Sequence, residues 1–108
     1  MSAEKTVTTV LVVDDDKNTR DGLERALRGD YHVLLAESGE RALAILGSAP
    51  VAILLSDVRM PGMDGLTLMK RAMARDPSTI CILLTAYGNV ETAVEAMKLG
   101  AYDFLMKP

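Results

Sequence analysis

The chain is poor in the residues that staple a protein, anchor it in a membrane or spread it over nucleic acid. A single cysteine, Cys81, in 108 residues excludes an internal disulfide and fits a reducing compartment. Its neighbours Ile80 and Ile82 make it read as a buried strand thiol rather than a reactive one. No apolar run approaches the ~20 residues of a membrane helix. The opening Met-Ser-Ala-Glu-Lys-Thr has no apolar core of a signal peptide, so a cytoplasmic location is expected. Twelve Lys and Arg against fifteen Asp and Glu give a net charge of −3. That leaves no basic field for wrapping nucleic acid, and action on DNA would need another domain or partner. Repeats, low-complexity tracts and linkers are also missing. What is present, 49% hydrophobic and 25% charged residues, is an ordinary globular composition sized for one domain.

Strand-like and helix-like segments alternate along the chain. Apolar runs cover Val7 to Val13, Tyr31 to Ala36, Val51 to Ser56, Thr79 to Leu84 and Tyr102 to Met106. Between them, apolar residues recur at helical spacing. Leu23, Ala26 and Leu27 are stopped by Gly29; Ala42, Leu43, Ile45, Leu46 and Ala49 start after Ser38 and end at Pro50. Leu66, Met69, Ala72 and Met73 close at Asp76-Pro77, and Val90, Ala93, Val94 and Met97 follow Asn89 and end at Gly100. Ser38 and Asn89 are suitable helix caps. The order βαβαβαβαβ, with nearly continuous apolar runs in strands 1, 3 and 4, predicts a parallel sheet covered on both faces. Right-handed crossovers then favour a flavodoxin-like doubly wound sheet of order 2-1-3-4-5.

Ligands of such sheets bind at the carboxyl ends of the strands. Strand 1 runs into Asp14 and Asp15, strand 3 into Asp57, strand 4 into Thr85 and strand 5 into Lys107. Two carboxylates about 4 Å apart repel by ~4 kcal/mol at an effective dielectric near 20, so a third makes the pocket unfavourable without a cation. Carboxylate oxygens with no His or Cys nearby favour Mg²⁺. Asp57, between a buried strand and the turn Met60-Pro-Gly-Met-Asp-Gly65, is placed to be a nucleophile that forms an aspartyl phosphate. Each residue also has a plainer reading. Asp16 is better taken as a helix cap, Thr85 alone could be a turn residue, Lys107 a surface lysine, and Asp57 a strand-ending carboxylate on loop amides. Their shared sheet edge is what favours a site. His32 lies away from that edge and reads as structural. The seven methionines read as core filling.

From about Val7 to Pro108 the chain resembles the receiver domain of two-component response regulators. The segments that carry the likeness are Val-Leu-Val-Val-Asp-Asp-Asp (10 to 16), Ser-Asp-Val-Arg-Met-Pro-Gly-Met-Asp-Gly (56 to 65), Leu-Thr-Ala-Tyr-Gly (84 to 88) and Tyr-Asp-Phe-Leu-Met-Lys-Pro (102 to 108). The stretch from Thr85 to Val94 and the Gly100-Ala-Tyr-Asp-Phe104 ending look most like nitrogen-regulator (NtrC) activators. The resemblance implies that Asp57 is the phosphoacceptor, supplied by a sensor histidine kinase. It implies Mg²⁺ on Asp15, Asp57 and the backbone carbonyl of Arg59, with Asp14 acting through water. Thr85 would hold the phosphoryl group and Lys107 its charge, while Phe104 occupies an aromatic switch position. Phe104 has no hydroxyl, so its inward state must rest on packing. The Lys107–Pro108 bond would be cis.

As a signalling switch, such a domain is not an enzyme in the usual sense, although it promotes its own phosphotransfer and dephosphorylation. Its response would appear on helix 4 and strand 5 and act on an output domain outside the chain, of the ATPase plus DNA-binding kind. A Mg²⁺-dependent Asp-nucleophile phosphohydrolase is a rival reading. Against it, strand 1 ends in adjacent acids rather than an Asp-x-Asp pair, and no cap segment is visible. A receiver-like interaction module that never takes phosphate is a second rival, opposed by the complete residue set. The sequence stops at Pro108 with no helix after strand 5, which is expected to leave an apolar strip beside helix 1. A receiver domain cut before its last helix, or cover from something else, including a second copy, would account for that strip.

Overall fold

The computed structural model describes residues 7–86 and 89–107. The elements follow one another as β1 (Thr9–Val13), α1 (Lys17–Leu27), β2 (His32–Ala36), α2 (Gly39–Ser48), β3 (Ile53–Asp57), α3 (Gly65–Arg75), β4 (Ile80–Thr85), α4 (Val90–Lys98) and β5 (Asp103–Met106). All five strands are parallel and lie in the order β2-β1-β3-β4-β5, the flavodoxin-like order expected.

Each helix opens on a side-chain oxygen that satisfies an otherwise orphaned backbone N–H. Asp16 accepts from Asn18, Ser38 from Arg41, Asp64 from Thr67 and Asn89 from Thr92. Helix α4 ends where the Gly100 N–H reaches the Met97 carbonyl and the Ala101 N–H reaches the Ala96 carbonyl. Gly100 sits at φ +109°, and a Cβ there would lie 2.7 Å from the Met73 methyl, so both conformation and space call for glycine.

The core forms on one face of the sheet, where Leu11, Val13, Leu54, Cys81 and Leu83 pack with Ala42, Leu68, Met69, Ala72 and Ala96. On the other face Val10 and Val12 are fully buried, yet their neighbours in register are less covered. Leu55, Ile82 and Leu84 are half-buried, and Ile80 and Leu105 are 40% and 42% exposed. This is the apolar strip expected beside α1.

Two expectations are adjusted. Strands β1 and β3 begin two residues later than their apolar runs, because ladder pairing rather than hydrophobicity sets the ends. Val51 is still buried in the core, whereas Val7 is 55% exposed. Core filling holds for Met60 and Met69 and in part for Met63 and Met73, but Met97 and Met106 are 48% and 58% exposed. The Lys107–Pro108 bond, expected cis, and Tyr87 with Gly88 involve residues outside the described set.

Cys81 is buried, and burial pushes its thiol up to about 11. At pH 8 the native thiol should therefore react with an aromatic disulfide reagent on the order of 100-fold more slowly than the chain in guanidinium. Equal rates would mean that β4 is open to solvent.

Candidate functional site

The carboxyl edge of the sheet collects the residues singled out above. Asp57 is the last residue of β3 and is buried. Ser56, behind it, is fully buried and donates through its hydroxyl to the Asp57 carbonyl at 2.9 Å. The loop that follows is closed by the Gly65 N–H, which donates to the Val58 carbonyl at 2.8 Å. This turns the chain over the Asp57 backbone and into α3. The closure leaves no room at Gly65, where a Cβ would fall 2.1 Å from the Asp57 carbonyl oxygen.

Asp14 follows β1 and is buried, while Asp15 beside it is exposed. Oxygens of Asp14, Asp15 and Asp57 all lie within 4.8 Å of one another. Asp16 is not among them. Its carboxylate accepts from the Asn18 N–H at 3.1 Å and the Thr19 hydroxyl at 2.9 Å. The bond from Thr19, then that from Asn18, holds its carboxyl below the usual range. Asp16 is the cap that the sequence favoured.

Lys107 is carried to the cluster by its own backbone, whose N–H donates to the Thr85 carbonyl at 2.8 Å. Its ammonium donates to Asp14 Oδ2 at 2.6 Å and to Asp57 Oδ2 at 3.2 Å. Burial opposes its charge, but these two carboxylates outweigh it and raise the lysine above its ordinary value. The Asp57 carboxyl is raised as well, which disfavours its charged form. Burial and then repulsion from Asp14 raise its carboxyl, offset only in part by Lys107 and the Arg59 backbone N–H. One ammonium therefore faces three carboxylates, two of them held close, and the edge keeps an excess of negative charge. The donor set is all oxygen and fits a hard cation such as Mg²⁺.

Thr85 ends β4 with its side chain fully buried. Phe104 lies beside Leu83 in the β4–β5 ladder and packs half-buried on the core. Arg59 is exposed in the loop after Asp57. Away from the edge, α4, β5 and the turn between them present Val90, Val94, Met97, Leu99, Tyr102, Leu105 and Met106 to solvent. His32 is exposed at the start of β2, far along the strand from the carboxyl edge.

The profile of the response regulator receiver domain matches residues 10–108. The chain belongs to the response regulator receiver family. Among curated relatives it is 47% identical over 100 residues to the DNA-binding transcriptional regulator NtrC of Salmonella typhimurium, covering 92% of this chain and 21% of that protein. This receiver thus spans about a fifth of the length of that relative. A CheY-like receiver domain protein from Methanospirillum hungatei superposes with a TM-score of 0.91 at 29% identity, over 95% of this chain and 83% of that one. A response regulator from Burkholderia pseudomallei, solved with a phosphorylated aspartic acid and a calcium ion, superposes at 0.87 with 31% identity, over 94% and 60%. The likeness to NtrC agrees with the activator type read from residues 85 to 104. Among the described residues, no helix of this receiver is long and apolar enough to cross a membrane.

One residue of the receiver edge escaped the sequence reading. Arg20, which closes the first turn of α1, donates from its guanidinium to the Asp14 carbonyl at 2.7 Å. An arginine among Lys17, Asp21, Glu24 and Arg25 looks like part of a solvated face. Its place one turn beyond an acidic strand end was the only available signal.

Proposed function

We propose that this receiver is a phosphorylation switch in which Asp57 takes a phosphoryl group from a phosphohistidine of a sensor histidine kinase. The observation that carries this reading is the convergence of Asp14, Asp15, Asp57 and Lys107 at one sheet edge. An Asp57 carboxylate oxygen would attack phosphorus, the P–N bond would break, and its electron pair would return to the imidazole. Asp15 and Asp57, with the Arg59 carbonyl, would hold Mg²⁺ directly, and Asp14 would do so through water. When bound, Mg²⁺ supplies positive charge against the phosphoryl oxygens.

The chain's own groups do the rest. Phosphate adds about −1.5 to −2 charges, and Lys107 is free to lean from Asp14 toward the new oxygens. The Thr85 hydroxyl would donate to one of them, leaving space that Phe104 fills by packing. The surface of α4 and β5, already rich in exposed apolar residues, would then change for an output domain that controls transcription, outside this chain. A shift from about 1:99 to 99:1 needs ~5.5 kcal/mol of differential stabilisation, within reach of several charge-assisted hydrogen bonds. The chain would act in the cytoplasm as the receiver portion of such a regulator.

Acetyl phosphate with Mg²⁺ provides the test. Intact mass should show one phosphoryl group per chain, labile to hydroxylamine and absent when EDTA is present. Mg²⁺ alone should raise thermal stability by ~2.7 kcal/mol at a hundred times its Kd. No adduct on Asp57, or no Mg²⁺ dependence, would remove this reading. Sustained turnover of p-nitrophenyl phosphate would put a phosphohydrolase in its place.

A further inference from the structure

Asp14 has four polar atoms, and every one of them is held. Its N–H donates to the Ala36 carbonyl at 3.1 Å, which extends the β1–β2 ladder past the end of the strand. Its Oδ1 accepts from the Asp16 N–H at 2.9 Å and its Oδ2 from Lys107 at 2.6 Å. Its carbonyl accepts from Arg20 Nη1 at 2.7 Å. The contacts with Ala36 and Lys107 fix the residue and its carboxylate, and the one from the Asp16 N–H holds the peptide plane that follows Asp15. The Arg20 contact holds the plane that precedes it, because the Asp14 carbonyl belongs to the peptide plane that also carries the Asp15 N–H. Fixing that oxygen fixes the direction in which the chain leaves Asp14, and so where Asp15 sits. Asp15 is exposed, and among the described residues no hydrogen bond to its carboxylate aims it from outside.

We infer that Arg20 is a positioning residue which, by clamping the Asp14–Asp15 peptide plane, sets the Asp15 carboxylate for a divalent cation. The inference rests on the phosphoacceptor reading above and concerns its metal. Arg20 itself touches neither metal nor phosphate. Its guanidinium suits the task because a planar donor on a half-buried stem fixes a carbonyl direction better than a freely turning ammonium does. Without Arg20 the Asp14 carbonyl, in a residue only 2% exposed, would have to turn toward water to recover a partner. Turning it would swing Asp15 away from Asp57.

Charge and position make opposite predictions here. Arg20 is a cation near an anionic pocket, so a role through charge alone means that deleting it tightens Mg²⁺ binding. A positioning role means that deleting it loosens binding. Outer-sphere partners of metal ligands typically account for 10–100-fold in affinity. Calorimetric titration of Mg²⁺ into Arg20→Met should therefore give a Kd about 10-fold weaker than that of the parent. Arg20→Lys, with the charge kept and one mobile donor, should fall between the two.

In phosphorylation by acetyl phosphate, Arg20→Met should need more Mg²⁺ for half-saturation yet reach the parental rate at saturating Mg²⁺. A merely structural loss would lower that limiting rate instead. A Kd for Arg20→Met equal to or tighter than the parent's overturns the inference, as does a lowered limiting rate with an unchanged Mg²⁺ requirement. If a Mg²⁺-free thermal melt shows that Arg20→Met does not fold, Arg20→Lys decides, and a parental Kd for it counts against positioning. Failure of the parent chain itself to bind Mg²⁺ would overturn the phosphoacceptor reading, and this inference with it.

Discussion

Asp57→Asn should abolish phosphoryl acceptance and at the same time make the fold more stable at neutral pH. The first effect follows from the loss of the attacking oxygen and should be total in an acetyl phosphate assay. The second follows from the electrostatics of the edge. Burial, and then repulsion from Asp14, raises the folded-state value of Asp57 above its ordinary one. A group with a raised folded value favours the fold below its unfolded value near 3.9 and loses that contribution as pH climbs through the folded value. At pH 7 the ionised carboxylate is therefore a net cost. Asparagine removes the charge while Lys107 keeps its 2.6 Å bond to Asp14. A gain of about 1 kcal/mol, a few degrees in Tm, is expected at pH 7. The gain should shrink as pH falls and the parental Asp57 takes up its proton. Added Mg²⁺ should reverse the order, stabilising the parent more than the variant. A lower Tm for Asp57→Asn at pH 7 would mean that Lys107 over-compensates the cluster.

Gly65→Ala should be the most damaging conservative change in the chain. The new Cβ would stand 2.1 Å from the Asp57 carbonyl oxygen and 3.0 Å from the Val58 Cα, both backbone atoms. A side chain could swing aside, but here the loop closure from the Gly65 N–H to the Val58 carbonyl must give way. Overpacking of this kind costs about 3 kcal/mol at the upper end of its usual range, or roughly 12 °C in a domain of this size. Phosphoryl acceptance should fall as well, because the displaced carbonyl belongs to Asp57, the proposed phosphoacceptor. A thermal melt with the parental midpoint would show that the loop relaxes more freely than its hydrogen bond implies.

These two outcomes mark the divide between what could and could not be read from residues alone. Strands β1, β3 and β4 were legible because buried parallel strands must be apolar on both faces. Three of the four helix starts were legible as well, since the Asp16, Ser38 and Asn89 caps act within a few residues of themselves, whereas the Asp64 cap of α3 was hidden in a run of turn residues. Asp57, Thr85 and Lys107 could be brought together because parallel strands all point their carboxyl ends the same way. Spacing along the chain does not encode distances across it. It gave no hint that Lys107 sits nearer Asp14 than Asp57, nor that Gly65 abuts a carbonyl rather than merely turning the chain. Arg20 was missed for the same reason, since its partner is a backbone oxygen and carries no sequence signature. The exposed Met97 and Met106 were misjudged because helical or strand periodicity identifies an apolar face but not whether anything covers it.

The bond from Lys107 to Asp14 joins residues 93 positions apart, and the one to Asp57 spans 50. Loop-closure entropy makes such contacts slow to form before the intervening sheet exists. Any folding intermediate that lacks β5 also lacks the ammonium, and holds Asp14 and Asp57 in mutual repulsion with nothing between them. On a ribosome, the pocket is complete only after the whole sheet has threaded. If the proposed function holds, phosphoryl acceptance would thus be a readout of finished topology, and a half-folded chain would not take the phosphoryl group.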